Sequence, residues 1–143
     1  MDVEVDMKTF ILATCLFAPI ASHATELRIF EQGITLREDC SLEVRRSDGT
    51  VKTEDISFKN KSTCAFLPVV GTNIPRLEFV RGDYVLMVES QFQTDKGCRA
   101  ERAAVVVSPG GKVRIGLGGN IGGCGFNERK HFEVLHHDAT AGQ

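Results

Sequence analysis

The chain has 143 residues, which is enough for one domain. Its 17 basic and 19 acidic residues give a formal net charge of −2, which argues against a nucleic-acid binder because such proteins usually carry a basic excess. Aromatic residues make up only 7%, with no Trp and one Tyr, so modules that stack sugars or bases on aromatic faces are also disfavoured.

The N-terminal segment has the pattern of a secretory signal peptide. An apolar run covers residues 10–20, Lys8 precedes it, and small residues stand at the ends of residues 22–24. The run is too short to span a bilayer, and no second run of spanning length follows, so we expect no membrane span. We predict export with removal of residues 1–24, which leaves residues 25–143 as a single domain of zero formal net charge in the periplasm or outside the cell. The alternative is a buried N-terminal helix.

The cysteines support export. Four cysteines remain after this cleavage, namely Cys40, Cys64, Cys98 and Cys124. An even number in an exported domain predicts two disulfides. Zinc binding is disfavoured because neighbouring cysteines are at least 24 positions apart, far from a Cys-x-x-Cys spacing.

Short β-rich runs recur between turn residues along the rest of the chain, and sustained helical periodicity is not evident. We predict ten strands: Leu27–Phe30, Ile34–Glu38, Cys40–Arg46, Glu54–Lys59, Cys64–Val70, Leu77–Val80, Tyr84–Ser90, Ala100–Val107, Lys112–Leu117 and Lys130–His136. The predicted fold is all-β, a small antiparallel β-sandwich or barrel with two disulfides.

Three turns predict the strand register in the C-terminal half. A Pro-Gly turn after Ser108 pairs Val107 with Lys112, and a three-residue loop over residues 95–97 pairs Thr94 with Cys98. A two-residue turn over residues 81–82 pairs Phe79 with Tyr84. One core face results, with Leu77, Phe79, Tyr84, Leu86, Val88, Ala104, Val106, Val113 and Ile115.

This register also predicts the disulfides. It places position 98 opposite position 121, close to Cys124, so Cys98–Cys124 is the easiest pair and Cys40–Cys64 follows.

The opposite face of the same predicted sheet is also apolar. It holds Val85, Met87, Ala103, Val105 and Val107, and Glu78, Glu89, Lys112 and Arg114 lie around it. An apolar stripe with a charged rim is typical of a protein–protein surface. The predicted partner-binding residues are therefore Val85, Met87, Val105, Val107, Glu89, Lys112 and Arg114. The alternative is that the glycine-rich loop or a terminal strand covers this face.

The sequence offers no catalytic, metal or cofactor site. His131 and His136 are one position too far apart for a zincin motif, and on a strand they would point to opposite faces. The segment 136–138, near the C-terminus, is predicted to be a solvated tail. Six glycines over residues 116–125 do not fit a dinucleotide loop, and we interpret them as sheet corners, a mobile cover or a loop that inserts into a partner.

These observations favour an exported, non-catalytic protein that neutralises another protein, such as a toxin or a hydrolase. An immunity protein or a lysozyme inhibitor has this size and compartment. The alternative is a structural or surface subunit that self-associates through its outer sheet face.

Overall fold

A computed structural model describes residues 26–124 and 128–141. The predicted signal peptide lies outside the described residues. The elements in chain order are β1 (Leu27–Ile29), β2 (Gln32–Leu36), β3 (Ser41–Arg45), β4 (Val51–Asp55), β5 (Cys64–Phe66), β6 (Leu77–Val80), β7 (Asp83–Thr94), β8 (Gly97–Val107), β9 (Val113–Ile115), β10 (Asn120–Gly123) and α1 (Arg129–Thr140).

The strands form two antiparallel sheets, which confirms the predicted fold class. Sheet A has the order β1-β2-β3-β4. Sheet B has the order β10-β8-β7-β5, with β6 also paired to β7 and β9 also paired to β8. The two sheets are separate and do not close into a barrel.

The main core lies between the two sheets. Sheet A contributes alternate apolar residues such as Ile34, Leu42 and Val44, as expected for strands with one buried face. Sheet B contributes Leu86, Val88, Ala103, Val105 and Val107.

The predicted register is correct at one turn and wrong at two. Phe79 pairs with Tyr84 as expected. Strand β8, however, is displaced by one residue against both neighbours, since Thr94 pairs with Gly97 and Val107 pairs with Val113. One residue of slip turns every β8 side chain to the other face, so Ala103, Val105 and Val107 lie in the inner core and Ala104 and Val106 lie on the outer face.

Turn geometry explains both errors. Gly97, with φ of 99°, is the first paired residue of β8, so the loop before it has two residues instead of three. After β8 the Ser108 N–H donates to the Lys112 carbonyl at 2.9 Å, so the loop has three residues instead of two. Gly110 and Gly111, with φ of 89° and 87°, make this longer loop possible because both are in the left-handed region.

The C-terminal segment predicted as a strand over Lys130–His136 is a helix. Helix α1 buries Phe132, Leu135, His136 and Ala139, which follow the i, i+3, i+4, i+7 spacing of one helix face. Within the part of the chain that the structure describes, no helix has the length and apolar character needed to cross a membrane.

Both predicted disulfides are confirmed. Cys40–Cys64 has a Cα–Cα distance of 5.1 Å, and Cys98–Cys124 has one of 5.6 Å. The pairing of β10 with β8 aligns Gly123 with Arg99, which brings Cys124 directly opposite Cys98. Two disulfides are typical of a protein in an oxidising, extracellular-type compartment.

Candidate binding surface

The apolar part of the outer face of sheet B is covered by α1. Phe132, Leu135 and Ala139 of the helix pack on Val85, Met87, Ala104 and Val106 of the sheet in a second buried cluster. The predicted exposure of this face is therefore wrong. The alternative, that another part of the chain covers this face, is correct. The covering segment, however, is the helix α1 and not the glycine-rich loop or a terminal strand.

The predicted partner-binding residues are separated by this arrangement. Val85 and Met87 lie under α1, and Val105 and Val107 face the inner core, all with at most 1% of their surface exposed. Glu89 is 5% exposed, whereas Lys112 is exposed and Arg114 is partly exposed. A direct contact with a partner stays a prediction for Glu89, Lys112 and Arg114.

A partly buried polar contact joins α1 to the sheet. His136 Nε2 lies 2.7 Å from Asp83 Oδ2, and the two side chains are 7% and 16% exposed. The prediction of a solvated tail at His136 is therefore wrong. Partial burial raises the pKa of Asp83, but hydrogen bonds from His136 and Ser108 outweigh it, so the pKa lies below its ordinary value of 3.8.

Asp83, His136 and Ser108 are the residue types of a hydrolase triad, but their bonding differs. In a triad the serine bonds to the histidine that takes its proton. Here the Ser108 side chain bonds to Asp83, the residue that also holds His136. The contact between His136 and Asp83 therefore holds α1 against sheet B. Among the described residues, no group of three or more His, Cys, Asp or Glu side chains is placed to hold a metal ion.

Further along β7 and β8, the same outer face carries a buried ion pair. Arg102 Nε donates to Glu89 Oε2 at 2.8 Å, and Arg102 Nη2 donates to the Gly123 carbonyl at 2.6 Å. The Gln91 side-chain amide donates to the other Glu89 oxygen at 2.6 Å. The Glu89 carboxylate is thus neutralised and hydrogen-bonded where it is buried.

A groove opens beside this ion pair. It has a volume of about 800 Å³, within the usual range of ligand sites. It lies between the chain on either side of β5 and the second half of β7. Its lining residues are Ser62, Thr63, Ala65, Phe66, Leu67, Pro68, Val70, Glu89, Gln91, Phe92 and Gln93.

An exposed apolar surface adjoins the groove. Ten large apolar side chains of the described residues are exposed, and five of them come from the short segment 69–79. We call these five the apolar edge: Val69, Val70, Ile74, Leu77 and Phe79. Val69 and Ile74 belong to a tight hairpin, in which the Val69 N–H donates to the Ile74 carbonyl at 2.8 Å, and Leu77 and Phe79 belong to β6.

A charged network borders the apolar edge. Glu78 accepts from Arg76 Nε at 2.7 Å and from Arg129 Nη1 of α1 at 2.9 Å. Arg129 Nη2 also donates to the Phe79 carbonyl at 3.0 Å. Apolar side chains with a polar rim are the usual anatomy of a protein-binding surface.

Comparisons of the chain with protein-family models, with curated proteins and with solved structures give no match. The apolar edge and the groove were not predicted from the sequence. Part of the signal for the apolar edge was present, because Pro68 disfavours the predicted strand Cys64–Val70 beyond residue 67, and Pro75 ends the segment that holds Val69, Val70 and Ile74.

Proposed function

We propose that the protein is an exported, non-catalytic binding protein that neutralises another protein, in the manner of an immunity protein or a hydrolase inhibitor. The observation that carries the proposal is the apolar edge. Val70 is 79% exposed and Ile74 is 65% exposed, and folding alone gives no reason to gather such side chains on one hairpin.

Two further observations support the proposal. The two disulfides are typical of the oxidising compartment that export implies. The cluster of Asp83, His136 and Ser108 has a structural bonding pattern, which favours binding over hydrolysis.

The experiment compares the wild type with the double variant Val70→Asp, Ile74→Asp. Partners are captured from periplasmic and culture extracts, identified and purified, and the dissociation constant is measured by calorimetry. Loss of two central apolar contacts should weaken binding at least about 30-fold, the size of a hot-spot effect of about 2 kcal/mol. Val51→Asp is the matched control, since Val51 is 50% exposed on the other sheet and should change the constant by less than about twofold.

Two results would contradict the proposal. A partner that binds the double variant as tightly as the wild type would show that the apolar edge is not the contact surface. A wild type that dimerises in sedimentation while the double variant stays monomeric would favour the self-associating subunit instead.

A further inference from the structure

We propose that the groove binds an extended, uncharged segment of the partner protein, which adds to sheet B as a strand along β7. This inference rests on the proposed function, because it names the part of the partner that is recognised. It is a case of strand addition, in which backbone hydrogen bonds supply affinity and alternate side-chain pockets supply specificity.

The first argument is the open backbone edge of β7. On the β5 side the pairing of β7 ends at Ser90, whereas β7 continues to Thr94 and stays paired with β8 on its other side. Within residues 26–124 and 128–141, no strand lies beside residues 91–94 on the β5 side.

The direction of the backbone groups follows from the hydrogen bonds nearby. The Leu67 N–H donates to the Met87 carbonyl at 2.8 Å, so Met87 presents its backbone groups on this side. Backbone groups alternate along a strand, so Gln91 and Gln93 present theirs on the same side. An added strand would find these donors and acceptors in register with the existing sheet.

The second argument is that buried polar groups hold the chain before β5 away from this position. Glu101, fully buried on the inner face, accepts from the Lys59 N–H at 3.0 Å and from the Asn60 N–H at 2.9 Å. Ser90 Oγ, also buried, accepts from the Ser62 N–H at 2.9 Å. These bonds hold residues 59–62, which precede β5, on the inner face of sheet B. A longer β5 would lie beside Gln91, and the groove occupies that position instead.

The third argument concerns charge. Glu89 is the single ionisable residue in the groove lining, and it is already bonded to Arg102 and Gln91. A charged peptide side chain entering the groove would lose water without gaining an opposite charge, so the lining favours an uncharged segment.

The outer edge of β4 shows how this fold protects an edge that stays free. Strand β4 is the last strand of sheet A, and its exposed residues include Lys52 and Asp55, with Lys52 paired to Glu54. Charged residues on an edge strand discourage pairing with another chain. Residues 91–94 carry no charge, so the second half of β7 lacks this protection.

The test uses the full exported chain and a probe peptide, acetyl-Thr-Val-Thr-Val-Thr-Val-amide. Amide hydrogen exchange is followed by NMR, and the dissociation constant is taken from the titration. We expect the exchange of the Gln91 and Gln93 amides to slow at least about tenfold on saturation. A probe with alternate amides methylated, or with Lys at alternate positions, should bind at least about tenfold more weakly.

A variant that fills the groove tests the location. Ala65 is exposed and lines the groove, so Ala65→Trp should weaken probe binding at least about tenfold. Thr53→Trp, on an exposed position of β4, is the matched control and should leave the constant unchanged. Melting temperatures of both variants close to that of the wild type would confirm that neither has lost its fold.

Several outcomes would overturn the inference. These are a probe that does not bind at millimolar concentration, binding that is insensitive to amide methylation, and binding without protection of Gln91 and Gln93. Protection of these amides by raised protein concentration alone would also overturn it, because the occupant would then be a second copy. A captured partner whose affinity is unchanged by Ala65→Trp but lost with Val70→Asp, Ile74→Asp would overturn this inference and leave the proposed function intact.

Discussion

The outer face of β7 has two halves that differ in composition and in burial. In the first half, Val85 and Met87 are covered by α1 and are at most 1% exposed. In the second half, Glu89, Gln91 and Gln93 continue the same two-residue alternation, and among the described residues none from α1 lines the groove beside them. An apolar sheet face must be buried against another element, whereas a polar one is satisfied by ion pairing and amides. The difference shows that the apolar or polar character of each half determines its surroundings. The apolar half is buried under α1, and the polar half lines the groove.

The largest effect should come from a charge placed in the covered half. Met87→Lys would bury an unpaired ammonium group under α1 and should lower the free energy of unfolding by about 4 kcal/mol or more. Gln91→Lys is the matched change on the same face of the same strand and should cost within about 0.5 kcal/mol. Urea unfolding of both variants checks this, and equal losses would mean that α1 does not cover Met87 in solution.

The second effect concerns the ion pair where the two halves meet. Arg102→Met would leave the Glu89 carboxylate buried without its cation, which should cost about 3 kcal/mol. The double variant Glu89→Leu, Arg102→Met removes both charges and should recover most of that loss. Thermal unfolding distinguishes the cases, and a double variant as unstable as the single one would show that the buried charge is not the cause.

Parts of this comparison could be predicted from the sequence. The alternation along β7 and the turn at Gly82, with φ of 90°, gave the correct faces for Val85, Met87, Leu86 and Val88. The two disulfide pairs were also predicted correctly. The faces of β8 were wrong because both flanking loops contain glycines that allow either of two loop lengths.

Other parts depend on contacts between distant residues. Helix α1 was missed because His136 occupies a position in the buried stripe where an apolar residue is expected, and it is accommodated there by Asp83, 53 positions earlier. The groove was missed because its opening depends on Glu101 holding Lys59 and Asn60, which lie more than 40 positions away. A pattern of neighbouring residues in the sequence does not show which distant side chains will bond to each other.

The smallest effect concerns the attachment of α1 through Asp83. Because the pKa of Asp83 in the folded protein lies below 3.8, the folded state binds the proton more weakly than the unfolded state. The resulting stabilisation is present above the unfolded pKa and is lost as the pH falls through the lowered folded value. Asp83→Asn keeps the shape and removes the charge, so it should cost about 1 kcal/mol near pH 6.

The free energies of unfolding of the wild type and of the Asp83→Asn variant should become equal at low pH. As the pH falls through the lowered folded pKa of Asp83, the carboxyl of the wild type becomes protonated, so the difference in unfolding free energy from Asp83→Asn should approach zero. Asp39 and Asp48 also have lowered pKa values, caused by hydrogen bonds from Ser41 and Thr50, but they are unchanged in the variant and cancel in the difference. Denaturant titrations at several pH values measure the difference, and amide exchange in α1 should show the same pH dependence. A difference that stays constant as the pH falls from 6 until the Asp83 carboxyl is protonated would mean that the Asp83 charge does not hold α1 against Val85 and Met87.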